Sequence, residues 1–81
     1  MEEKDKWEGK HKCPVCGKYE FEMHDDFDIC EVCHWENDGI QELNPDYKGG
    51  ANVMSLNQMR KAYQMGMSYD DAEEASLKGE L

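Results

Sequence analysis

Eighty-one residues leave room for one small domain, and Leu, Ile, Val and Phe supply only 11 of them against a formal net charge of −10. Apolar burial on that scale does little more than offset the ordering entropy of the chain, so a fold needs a further tie. The same charge excludes a direct nucleic-acid reader and an anionic-membrane binder, since both depend on Lys and Arg meeting phosphate.

Residues 1–12 read as a flexible, charged arm. The charge is uneven: residues 1–18 net +1, whereas from residue 19 onward Lys48, Arg60, Lys61 and Lys78 face fifteen carboxylates, a net of −11. A body of that sign suits solubility or encounter with a protein partner bearing a basic face. The start, Met1-Glu2-Glu3-Lys4-Asp5-Lys6, lacks the apolar stretch of an export signal, and no run of about 18 apolar residues follows. The expectation is a cytoplasmic protein with reduced thiols.

Cys13-Pro14-Val15-Cys16 and Cys30-Glu31-Val32-Cys33 are two C-x2-C pairs separated by thirteen residues. Two residues between thiols let a tight knuckle aim both sulfurs at one centre, so the four cysteines are the candidate ligands of one tetrahedral metal ion. Gly17 supplies backbone freedom where the first knuckle turns, and His34 in the equivalent place predicts a different turn in the second. Zinc is the expected ion, with iron held as in rubredoxin the runner-up, because thiolate tetrahedra accept both. Disulfides suit an exported chain better. A glutaredoxin-type dithiol at Cys13 and Cys16 needs a helix N-terminus to lower its thiol pKa, and Gly17 with the alternating residues after it opposes a helix there. His11, His24 and His34 read as surface or supporting histidines, because four sulfurs already complete the shell.

Between the knuckles, Tyr19, Phe21 and Met23 alternate with Glu20, Glu22 and His24, the period of a half-buried strand. A turn at Asp25-Asp26 and a second strand through Phe27 and Ile29 complete a hairpin running from one knuckle to the other. Tyr19, Phe21 and Phe27 are expected in the core, with Trp35 shielding the metal. Residues 35–52 read as a loop rich in turn formers, either a structural brace or a contact surface. Asp38, Glu42 and Asp46 within it are close enough to suggest a carboxylate site, yet loop carboxylates in so acidic a chain are usually solvated. Ser55 and Gln58 form a capping box that starts a helix over residues 55–66, with Leu56, Met59, Ala62 and Tyr63 on one face and Gly66 at its end. Residues 67–81 form an acidic segment with a weak helical pattern near 70–78.

The expected fold is a small metal-stabilised α+β domain over residues 13–66: a zinc-ribbon-like β-hairpin with two Cys knuckles packed against a C-terminal α-helix. The six methionines read as gap-fillers of a small core.

From residue 13 to about residue 66 the chain resembles the bacterial cysteine-rich CPCC family of small proteins. The resemblance rests on Cys13-Pro14 with Cys16-Gly17-Lys18-Tyr19, Ile29-Cys30 with Val32-Cys33, and Trp35-Glu36. It continues through Asp38-Gly39, Gln41, Asn44-Pro45-Asp46-Tyr47 and Gly49-Gly50-Ala51-Asn52 to Ser55-Leu56-Asn57 and Tyr63. Val15 departs from it, standing where the family name carries a cysteine. The resemblance implies a metal-binding, zinc-ribbon-like fold. A structural four-cysteine zinc site in a non-enzymatic protein-interaction module is the function expected. An acidic immunity or antitoxin-type inhibitor of a basic partner and a rubredoxin-like iron electron carrier are the alternatives.

Overall fold

The computed structural model describes residues 11–22 and 26–81. Over these the chain forms two short strands, β1 (His11–Lys12) and β2 (Glu20–Phe21), and three helices, α1 (Gly39–Leu43), α2 (Leu56–Gln64) and α3 (Tyr69–Leu77). Residues 1–10 of the expected arm lie outside the described residues, and His11 and Lys12 belong to β1.

The strand pairing differs from the expected hairpin. β1 and β2 are antiparallel, with His11 opposite Phe21 and Lys12 opposite Glu20, while Ile29 forms an isolated antiparallel bridge with Glu36. Each C-x2-C loop is thus closed by its own flanking segments. A knuckle reverses the chain by itself, so the residues on its two sides meet: the Cys13 amide donates to the Tyr19 carbonyl at 2.8 Å, and the Cys30 amide to the Trp35 carbonyl at 2.9 Å. Pairing across Asp25-Asp26 would need a second reversal. Met23, His24 and Asp25 lie outside the described residues. Phe21 is buried as expected, but Phe27 is exposed. A left-handed φ of 58° at Phe27 breaks the two-residue alternation that would have carried its side chain inward.

α1 replaces part of the expected loop. Asp38 is its N-cap, accepting from the amides of Ile40 and Gln41, and Pro45 follows its C-cap Asn44, where a helix cannot continue. α2 matches the expectation closely. Ser55 Oγ accepts from the Gln58 amide and Gln58 Oε1 from the Ser55 amide, both at 3.1 Å. At its end Gly66 takes a φ of 81°, the Gly66 amide bonds to the Tyr63 carbonyl and the Met67 amide to that of Ala62. That is the two-bond Schellman arrangement.

α3 shows that the weak pattern near 70–78 is a docked helix. Its buried residues are Ala72, Ala75 and Ser76, small enough for close approach to α2. Polar bonds do the rest: Ser76 Oγ donates to Gln58 Oε1 at 3.0 Å, and the Tyr69 hydroxyl to Asn52 Oδ1 at 2.8 Å. The core gathers Phe21, Trp35, Met54, Leu56, Met59 and Ala62 together with Ala72 and three of the four cysteines. Buried Met54 and Met59 fill gaps among the larger rings, whereas Met65 is exposed.

Candidate metal centre

Each knuckle is a turn that folds two sulfurs to one side. In the first, the Gly17 amide donates to the Cys13 carbonyl at 2.9 Å; in the second, the His34 amide donates to the Cys30 carbonyl at 2.9 Å. Gly17 has a φ of 69° and His34 a φ of 73°. The different turn expected at His34 is therefore absent: histidine adopts the left-handed backbone that glycine takes freely, as a minority of non-glycine residues do.

The thiols converge. All four Sγ atoms lie within 4.8 Å of one another, with Cys13 to Cys33 and Cys16 to Cys30 each at 3.6 Å. Both close pairs take one sulfur from each knuckle. A disulfide would hold sulfurs about 2.05 Å apart, so these are four free thiols. Four sulfurs around one ion at a bond length of about 2.3 Å form a tetrahedron with edges of about 3.8 Å. The observed spacing matches a single ion, and the four cysteines can hold one. Cys30 is 0%, Cys13 2% and Cys33 5% exposed, and only Cys16 is half-buried.

Electrostatics keep part of the cluster protonated while no ion is bound. The Cys13 thiol is pulled down to about 5, first by its hydrogen bond with Cys33, against the opposing effect of burial. Cys33 is pushed up, because Cys13 holds its proton in the shared bond and because it is buried. Burial also pushes Cys30 up. Packed this tightly, four thiolates cannot coexist in a low-dielectric core without a positive charge among them. Backbone amides already face the sulfurs: Lys18 N lies 3.4 Å from Cys16 Sγ, and Val32 N and Cys33 N lie 3.3 Å from Cys30 Sγ.

The surrounding elements hold the knuckles in place. Arg60 on α2 donates from Nε to the Pro14 carbonyl at 2.9 Å, fixing the first knuckle to the helix. Val15 packs against the core, so an apolar side chain stands where the family name has a thiol. Trp35 is fully buried beside the cysteines in the same cluster, and its Nε1–H has no partner among the described residues. His11 Nε2 pairs with the Glu42 carboxylate at 2.8 Å and its ring stacks on Phe21. His34 is exposed at its turn, and His24 lies outside the described residues. Among the described residues, the group that can hold a metal contains the four cysteines. Cys13 and Cys16 occupy a turn between two strands, not the helix N-terminus that a glutaredoxin-type dithiol requires.

The carboxylates of residues 35–52 form no joint site. Asp38 caps α1 and accepts from the Ala51 amide at 2.9 Å, Glu42 pairs with His11, and Asp46 accepts from Asn57 Nδ2 at 2.9 Å. What sequence reasoning missed here is a buried amide network. Gln41 Nε2 lies within 3.1 Å of the carbonyls of Tyr47, Asn52 and Met54, and its Oε1 accepts from both nitrogens of Asn52. Asn52 in turn bridges the Glu36 amide and carbonyl. The one available signal was the glycine pair: a Cβ on Gly50 would sit 2.7 Å from Asp38 Oδ2 and 2.9 Å from Gln41.

A family model described as Cysteine-rich CPCC matches residues 11–78. No curated protein matches the chain.

Proposed function

Because the chain belongs to the cysteine-rich CPCC family and brings four thiols into one cluster, we propose that it is a zinc-binding interaction module. Cys13, Cys16, Cys30 and Cys33 would hold one structural Zn2+. The observation that carries this reading is the spacing of the four sulfurs, which suits one tetrahedral ion. When bound, the ion offsets two of the four thiolate charges and cross-links the two knuckles. The chain's own part is to bring the four sulfurs together, exclude water around Cys13, Cys30 and Cys33, and aim backbone amides at Cys16 and Cys30, the raised thiols giving up their protons as the ion binds. Four sulfurs close the shell and leave no position for a reactive water, so the module acts by binding rather than by turnover. A reducing compartment such as the cytoplasm keeps the thiols available; among the described residues no helix is long and apolar enough to cross a membrane.

Elemental analysis of protein purified from medium containing both zinc and iron tests the proposal. About one zinc per chain, with no visible chromophore, is the expected result. Iron at the same stoichiometry with a red-brown colour would replace the zinc reading by a rubredoxin-like electron carrier, a reading favoured by the partly exposed edge at Cys16. A folded chain containing neither ion would refute both.

A further inference from the structure

A cleft of about 190 Å³ opens beside the second knuckle, between that turn and the facing parts of α2 and α3. It is smaller than the 300–1,000 Å³ typical of cofactor and drug-sized ligands, which limits its occupant to about one long side chain. Val32, Met59 and Met67 are its apolar lining residues, Tyr63 and Tyr69 its aromatic ones, and Asp70, exposed at the start of α3, its acidic one. Asp70 has no ion-pair partner among the described residues. An apolar stem ending in a cation satisfies all three kinds of surface, because the methylenes of Lys and Arg pack on Met and Val while their heads favour carboxylates and ring faces. Charge complementarity points the same way, with a net of −10 on the chain.

We propose that this cleft, formed by the second knuckle with α2 and α3, is a binding site for an arginine or lysine side chain presented by a basic protein partner. It rests on the interaction-module reading and gives that module a docking point. Asp70 is the specificity-determining group, since a neutral pocket of this shape would take an unbranched apolar side chain equally well.

The test is an NMR titration of the folded, metal-loaded protein with acetyl-arginine amide, acetyl-lysine amide and the apolar isostere acetyl-norleucine amide. The expected result is saturable shifts at His34 and at residues 67–70 with the two cationic probes at millimolar concentration, and weaker shifts with norleucine. Asp70→Asn should weaken the cationic probes about threefold, the scale of a partly exposed ion pair. Asp71→Asn removes the same charge from the same helix outside the cleft and should leave affinity within error. Equal loss in both variants, equal binding of norleucine, or shifts spread over the acidic surface would overturn the proposal. Metal content and amide dispersion are read on each sample. A loaded, folded protein that ignores the probes refutes the cleft alone, and a metal-free, folded protein that binds them refutes the metal reading alone.

Discussion

Two regions of this small chain reach order by opposite routes. The knuckle region, residues 11–22 and 27–36, contains little regular structure: one pair of two-residue strands, one isolated bridge and two tight turns. Its order depends on four sulfurs from two distant turns meeting in the core. The region from 37 to 55 contains no cysteine, and its only regular element is the five-residue α1. There Asp38, Gln41 and Asn52 do what backbone does elsewhere, with buried carboxylate and amide groups pairing main-chain atoms up to sixteen positions away. On the function proposed above, the first device depends on a bound cation. The second depends on the buried side chains of Asp38, Gln41 and Asn52 each finding partners. A chain with so few large aliphatic residues uses both because neither is supplied by apolar burial.

Removing the metal should have the largest effect, because the second region is expected to fall with the first. Metal binding at a structural four-ligand site is worth on the order of 10–16 kcal/mol, as much as the whole stability of a typical domain. Chelation, or replacement of any one of Cys13, Cys16, Cys30 and Cys33 by Ser, is expected to collapse amide dispersion throughout the chain. Acid acts alike, since protons and metal compete for the same thiolates. Retained dispersion after complete chelation would show that the amide network and helices suffice alone. His11→Ala and His34→Ala should leave metal stoichiometry unchanged.

Breaking the amide network comes next. Gln41→Ala strands the Asn52 amide and three carbonyls in a buried setting, at a cost of about 3 kcal/mol from groups left unpaired. The expected outcome is a lower melting temperature with one metal still bound. Simultaneous loss of metal would mean the two regions fold as one unit. Gly50→Ala attacks the same network by volume: its new Cβ would meet Asp38 and Gln41 below 3 Å. Those two side chains are locked by their own bonds and cannot retreat freely, so about 1–3 kcal/mol is expected. A thermal melt that matches the parent would show that the loop relaxes around the methyl group.

Legibility in the sequence followed the same division. The cysteine spacing identified four sulfurs that do converge, and Ser55 with Gln58 and Gly66 marked α2, because these are signals of two to four residues with one geometry each. α1 and the network were missed because Gln41 and Asn52 look like ordinary loop polars until residues eleven to sixteen positions away are brought beside them. The hairpin was misplaced because alternation at Tyr19, Phe21 and Met23 identifies a strand but not its partner. α3 was underestimated because its docking face is alanine and serine, small residues that carry little hydrophobic signal yet permit close packing. His34 was misjudged for a reason that can be measured.

The two knuckles offer the finest comparison, because the same amide-to-carbonyl bond closes each turn at a left-handed residue, glycine in the first and histidine in the second. An L-residue there costs about 1–2 kcal/mol relative to a right-handed backbone, while glycine loses about 0.5–1 kcal/mol more entropy on folding. His34→Gly should therefore stabilise the metal-loaded protein by about 0.5–1 kcal/mol, a rise of several degrees in melting temperature for a domain of this size. Gly17→Ala should cost a similar amount, and since no atom lies within 4 Å of the added Cβ, that cost is backbone strain rather than overlap. His34→Ala supplies the control. It keeps the Cβ and removes the imidazole, so it should not reproduce the gain; if it does, the side chain rather than the backbone is what sets the second knuckle apart from the first.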